Sequence, residues 1–100
     1  MATKAATKFT EFDPADYLTD RETILHFLRA AFEDGDLSHI KAALDAVARS
    51  KGMSSVAKET GITREALYKA LRPDAQPRFD TVNRVCAALG VKLAAQAVHT

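Results

Sequence analysis

The sequence predicts an all-α single domain of about five helices, and three observations carry that prediction. Apolar residues recur at helical spacing in successive stretches from residue 20 onward. Glycines fall just past those stretches, at Gly35, Gly52, Gly61 and Gly90, where helices stop. Only one short segment alternates with a period of two. A chain of 100 residues, 47% apolar and 27% charged, also has the size and composition of one soluble globular domain with a thin core.

The elements follow in order. Residues 1–11 are small and polar with no helical period, and read as a flexible N-terminus. They contain Lys4 and Lys8 but no apolar run of the kind a secretory signal needs. Phe12-Asp13-Pro14-Ala15-Asp16 reads as a turn, because the residue before proline is pushed out of the α region. A first helix starts at Asp20, buries Ile24, Leu25, Leu28, Ala31 and Phe32, and ends at Gly35. A second starts near Asp36 or Ser38, with Leu37, Ile40, Ala43, Leu44, Val47 and Ala48 as its stripe. Its end, Arg49-Ser50-Lys51-Gly52, places cations at the negative pole of the helix dipole.

A short helix then runs from Ser54 or Ser55, as cap, to Gly61. Thr63 caps Arg64 to Leu71, and Pro73 to Pro77 forms a loop. Phe79 and Asp80 read as a staple residue and an N-cap for a last helix over Thr81 to Leu89, with Val82, Val85, Cys86 and Leu89 inward. Val91-Lys92-Leu93 alternates and reads as a short C-terminal strand. Its candidate partners are Lys8 to Phe12 or the same segment of a second copy. The organisation expected is a single helical domain over 12–93 and a tail over 94–100.

The net charge of +1 hides an asymmetry. Residues 1–48 hold five Lys/Arg and nine Asp/Glu; residues 49–100 hold nine and four. An acidic half joined to a basic half suggests two surfaces for two kinds of partner.

Residues 54–71 carry the most information. Two short helices flank Gly61, with small Ala57 four residues before it and Leu67 six after. A helix-turn-helix needs this arrangement. Gly61 takes the positive φ that reverses the chain, and Ala57 lets the helices cross closely. Val56, Ile62, Leu67 and Leu71 pin the pair to the core. The outward residues of the second helix are then Thr63, Arg64, Glu65, Tyr68 and Lys69, at the end that enters the major groove in this motif. Helix–glycine–helix corners are also common without DNA, but the basic half and the flanking Arg49, Lys51, Lys58, Arg72 and Arg78 favour phosphate.

Ser54 through Leu71 resembles the helix-turn-helix of the Cro/repressor (XRE-like) superfamily. More narrowly, the chain resembles the HigA-like addiction-module antidotes. That resemblance rests on Phe12-Asp13-Pro14-Ala15 with Tyr17-Leu18, on Gly35-Asp36, on Ala48-Arg49-Ser50-Lys51-Gly52-Met53, and on Pro77-x-Phe79-x-Thr81-Val82 leading to Ala88-Leu89-Gly90-Val91. It covers roughly residues 11–93. Many repressors carry glutamines at the starts of the two motif helices; Ser55 and Arg64 stand there in this chain, so base preferences do not carry over. The resemblance implies a repressor-like five-helix helix-turn-helix domain with an extra N-terminal helix. It also implies a homodimer that represses its own operon and neutralises a small basic RelE/ParE-like toxin by direct binding.

Each residue role has a plainer alternative. Arg64 is a candidate for bidentate contact to a guanine edge or a solvated charge beside Glu65. Thr63 caps its helix and can also touch a phosphate or a thymine methyl. Glu65 can accept from a cytosine amine or simply suit the helix dipole. Tyr68 is a groove contact or half-core packing, and Lys69 a groove or phosphate contact. Ser54, Ser55, Lys58, Arg72 and Arg78 are phosphate candidates, each also readable as ordinary solvated surface. Asp20, Glu22, Glu33, Asp34 and Asp36 are candidates for a basic toxin, or else solvated helix ends.

No catalytic, metal or cofactor site is expected. His26, His39 and His99 lie in separate elements, Cys86 falls on an apolar face, and the phosphate-binding glycine loops are missing. No stretch is long enough to cross a membrane, so a cytoplasmic, non-enzymatic protein is expected. The leading reading is antitoxin and autorepressor. The alternatives are a stand-alone phage-type transcriptional regulator without a toxin, and a protein-interaction module without DNA binding.

Overall fold

The computed structural model describes residues 20–98. Expectations for residues 1–19, and for His99, lie outside the described residues. Among the described residues five helices follow one another: α1 (Arg21–Asp34), α2 (Leu37–Lys51), α3 (Met53–Thr60), α4 (Arg64–Ala70) and α5 (Phe79–Ala88).

The helix ends follow from local chemistry. Asp20 is extended and its carboxylate accepts the Thr23 N–H at 2.7 Å, which opens α1. Gly35 closes it at φ 78°, a left-handed conformation that would strain a side-chain-bearing residue. Asp36 opens α2 by accepting the Ser38 N–H at 2.8 Å, and Thr63 opens α4 by accepting the Ala66 N–H at 3.0 Å.

Two starts differ from expectation. α3 begins at Met53 behind Gly52, with no side-chain cap, so Ser54 and Ser55 sit inside its exposed first turn. α5 begins two residues early, at Phe79. Phe79 is 73% exposed and staples nothing, while Asp80 pairs with Arg84 at 3.2 Å instead of capping.

The core is where the five helices meet. Leu28 comes from α1, Leu44 and Val47 from α2, Val56 and Ala57 from α3, Leu67 from α4, and Val85 and Cys86 from α5. α2 supplies the longest buried stretch because alanines at 43, 46 and 48 let its neighbours approach closely. α1 packs on α2, and α3 packs on α2, α4 and α5. The apolar stripes hold with two corrections. Leu25 and Leu37 are 40% and 45% exposed, and Phe27 turns toward the core from the edge of the α1 stripe.

Residues 91–98 form no strand, and no strand occurs among the described residues. A strand needs a neighbouring ladder, and the alternation of Val91 and Leu93 instead packs both against the helical core. No helix among the described residues is long and apolar enough to cross a membrane.

One buried cation shapes the region after α4. Lys41, on α2, is only 3% exposed. Its ammonium donates to the carbonyls of Pro73 (2.8 Å) and Ala75. Burying a charge is expensive unless hydrogen bonds replace the lost water. Here those bonds tie α2 to the 71–78 loop.

Candidate nucleic-acid interface

α3, the turn at 61–63 and α4 make a tight corner. Gly61 stands at φ 81° and its N–H donates to the Ala57 carbonyl at 3.0 Å. The Thr60 hydroxyl donates to the same carbonyl at 2.8 Å and accepts the Ile62 N–H at 3.3 Å. Ala57 is 4% exposed and Leu67 fully buried, so the small residue and the anchor both lie on the inner side as expected. Arg84 reaches over from α5, with its guanidinium 3.5 Å from the Thr60 carbonyl. The corner is therefore braced from within and from α5.

The opposite side of α4 is exposed. Thr63, Arg64, Glu65, Tyr68 and Lys69 all lie there. Arg64 and Tyr68 form one unit: the guanidinium carbon lies 5.5 Å from the ring centroid and Nη2 donates to the phenol oxygen at 3.3 Å. This i,i+4 stack holds Arg64 along the helix, and Tyr68 is 40% exposed.

The flanking cations are distributed around this corner with different degrees of restraint. Lys58 and Lys69 are exposed, and among the described residues no carboxylate pairs with either. Arg72 reaches Asp74 at 3.4 Å, and Arg78 is exposed at the entry to α5. Arg49 pairs with Asp45 at 2.9 Å along α2.

The acidic candidates do not form one patch. Asp20 and Glu22 stand at the start of α1, whereas Glu33, Asp34 and Asp36 stand at its end. The 14-residue helix separates the two groups by about 20 Å. Three of these carboxylates are already engaged: Asp20 and Asp36 as caps, and Asp34 by His39 at 2.6 Å and by the Asp36 N–H at 3.3 Å.

A family model for "Probable addiction module antidote protein" matches residues 8–97. The chain belongs to this antidote family. An uncharacterized protein of Haemophilus influenzae is 38% identical over 86 residues, which cover 86% of this chain and 89% of that protein. No solved structure matches. Family membership supports an antitoxin role as the coarse functional statement.

Several features of this antidote escaped sequence reading. His39 was set aside as isolated, yet it meets Asp34 and Asp36 at the α1–α2 junction. The hydrogen bond to Asp34 raises the His39 pKa above its ordinary 6.5, with the Asp34 and Asp36 charges adding to it. The same bond, followed by the Asp36 N–H, lowers Asp34. Lys41 and Arg84 are recognisable as braces only once their distant carbonyl partners are known. The Arg64–Tyr68 spacing was the one legible signal among these. Cys86 is fully buried, and burial pushes its thiol up to about 11, which leaves little thiolate for chemistry.

Proposed function

We propose that this antidote is the antitoxin of a type II toxin–antitoxin module. In this reading it binds a small basic RelE/ParE-like toxin directly and represses its own operon through sequence-specific DNA binding. The observation that carries the DNA half is the exposed polar side of α4 on a corner whose inner side is fully packed. A rigid helix N-terminus carrying Thr63, Arg64, Glu65, Tyr68 and Lys69 suits base edges in a major groove. Arg64, held against Tyr68, matches a guanine edge. The α3 N-terminus, without a side-chain cap and carrying the Ser54 and Ser55 hydroxyls, suits a backbone phosphate. Lys58, Arg72 and Arg78 add sequence-independent attraction. The corner fits a repressor-like domain, HigA-like within the XRE superfamily, in which α1 is the extra helix.

One such helix reads few bases, so the working form is a homodimer on two half-sites about 34 Å apart. The antitoxin half rests on family membership and on the acidic residues of α1, which suit a basic partner through charge. Because Asp20, Asp34 and Asp36 already have local partners, Glu22 and Glu33 have the most freedom to meet that partner.

Anisotropy titration of the chain's own upstream duplex against a scrambled duplex, at two salt concentrations, tests the DNA half. Preferential binding that weakens steeply with salt supports it. Equal, weak binding to both duplexes refutes it and leaves a protein-interaction module. Capture of a small basic protein encoded next to this chain tests the toxin half; no such neighbour, together with preferential operator binding, favours a stand-alone regulator.

A further inference from the structure

Residues 71–78 link α4 to α5 and carry two of the phosphate candidates, Arg72 and Arg78. Leu71, at the start of this loop, belongs to the hydrophobic core, but none of residues 72–78 does. Within the loop the Ala75 N–H donates to the Arg72 carbonyl at 3.0 Å, and the Arg72 N–H reaches back to the Lys69 carbonyl at 3.4 Å. A surface loop with so little apolar anchoring moves freely unless another element holds it.

Lys41 of α2 is what holds it. Its side chain is buried, and its ammonium donates to the carbonyls of Pro73, at 2.8 Å, and Ala75. Among the described residues no other side chain from outside the loop hydrogen-bonds to it, and no carboxylate pairs with Lys41. A buried charge without a counter-ion is a poor source of stability, because desolvation offsets much of what its bonds return. What it supplies is direction. An ammonium only donates, so both carbonyls must turn toward it, and the loop backbone is pinned at two points. The two arginines flank those points. Arg72 immediately precedes Pro73 and is engaged only by Asp74, at 3.4 Å with both side chains more than half exposed. Arg78 is exposed, with no carboxylate partner among the described residues.

We propose that Lys41 is a positioning residue for the DNA backbone: by pinning the 71–78 loop it sets Arg72 and Arg78 where two phosphates lie when α4 is in the major groove. It touches no DNA itself. This inference rests on the DNA-binding reading above and adds to it a residue on the far side of the loop.

The test is anisotropy titration of the full chain on the upstream and scrambled duplexes across a salt series, with circular dichroism and urea unfolding on every variant. Lys41→Met, which matches the stem and removes both bonds, should weaken binding to both duplexes by the same factor and leave their ratio unchanged. It should also lower the slope of log K against log salt by about 2, one for each arginine contact. Lys41→Gln, a neutral donor, is the second variant and should lower the slope in the same direction. Arg72→Ala with Arg78→Ala should lower the slope by about 2, and adding Lys41→Met to that pair should lower it no further. A folded Lys41→Met or Lys41→Gln protein with the parent slope overturns the proposal while leaving the DNA reading intact. So does an unchanged slope in the arginine pair, or a further fall when Lys41→Met is added to it. A parent chain that shows neither preference nor salt dependence overturns the DNA reading, and this inference with it.

Discussion

The corner between α1 and α2 and the corner between α3 and α4 are built alike and end up different. Each turns on a left-handed glycine, Gly35 at φ 78° and Gly61 at φ 81°. Each then opens the next helix with a side-chain cap, Asp36 or Thr63. At the first corner the charges consume one another, as Asp34 takes His39 and the Asp36 N–H while Asp36 caps α2. At the second, Thr63 caps and Arg64 stacks on Tyr68, but Glu65 and Lys69 remain outward and Leu67 is sealed inside. Charges near a helix end are thus weak evidence for a partner until their local bonds are known. An outward polar face backed by a buried anchor is better evidence.

The largest expected contrast concerns those anchors. Leu67→Ala should cost about 2–5 kcal/mol, because it opens a cavity in a site with no solvent contact. Leu37→Ala, at the first corner and 45% exposed, should fall within about 0.5 kcal/mol of the parent. Urea unfolding of both variants measures the difference, and equal losses would break the comparison.

Next in size is the outward face. Arg64→Ala should lose about 1–3 kcal/mol of discrimination at one base position, seen as relaxed preference in competition titrations. Lys69→Ala, if its contact is to phosphate, should weaken binding evenly across sequences and lower the salt slope by about 1. Charge reversal at Glu22 and Glu33 should leave both quantities unchanged while weakening capture of the basic partner. Unchanged capture and unchanged salt dependence would remove the toxin-facing assignment.

These contrasts show what was legible in the sequence. All five helices were, because 3.6-residue stripes and glycine stops are local signals. Thr63, Gly61, Ala57 and Leu67 were also legible, since their offsets define the corner. The cap of α3 and the start of α5 were misjudged because serines and an Asp near a helix start resemble caps whether or not they bond. Leu25 and Leu37 were placed inside because a stripe gives a direction and not a depth. Lys41 and Arg84 were out of reach, because their partners lie 24 to 34 residues away in sequence and are backbone carbonyls with no residue signature.

A smaller effect separates the two caps. Thr63→Ala should cost about 1 kcal/mol of stability, and Asp36→Ala a similar amount, by freeing an N–H that each now satisfies. Only Thr63→Ala should also weaken operator binding, since its helix carries the outward face. Unfolding and anisotropy on the same two variants check this.

The smallest effect is a pH dependence at the first corner. His39, raised above 6.5, adds stability that is complete below that value and fades as pH rises through its higher folded pKa. Asp34, lowered from 3.8, adds stability that is present above that value and fades as pH falls through its lower folded pKa. The pair therefore acts in full between about pH 4 and 6.5. His39→Ala should flatten the fall in melting temperature between about pH 6 and 8, and an unchanged profile would show the pair to be idle.

The central claim is that the outward side of α4 reads DNA while the α1 region meets a protein. Titration of the upstream duplex with the parent chain and with Arg64→Ala/Lys69→Ala, at two salt concentrations and beside capture of the basic partner, tests it most directly. The account predicts that the double variant loses sequence preference and part of its salt slope while capture is untouched. Retained preference and slope in a folded double variant would contradict it.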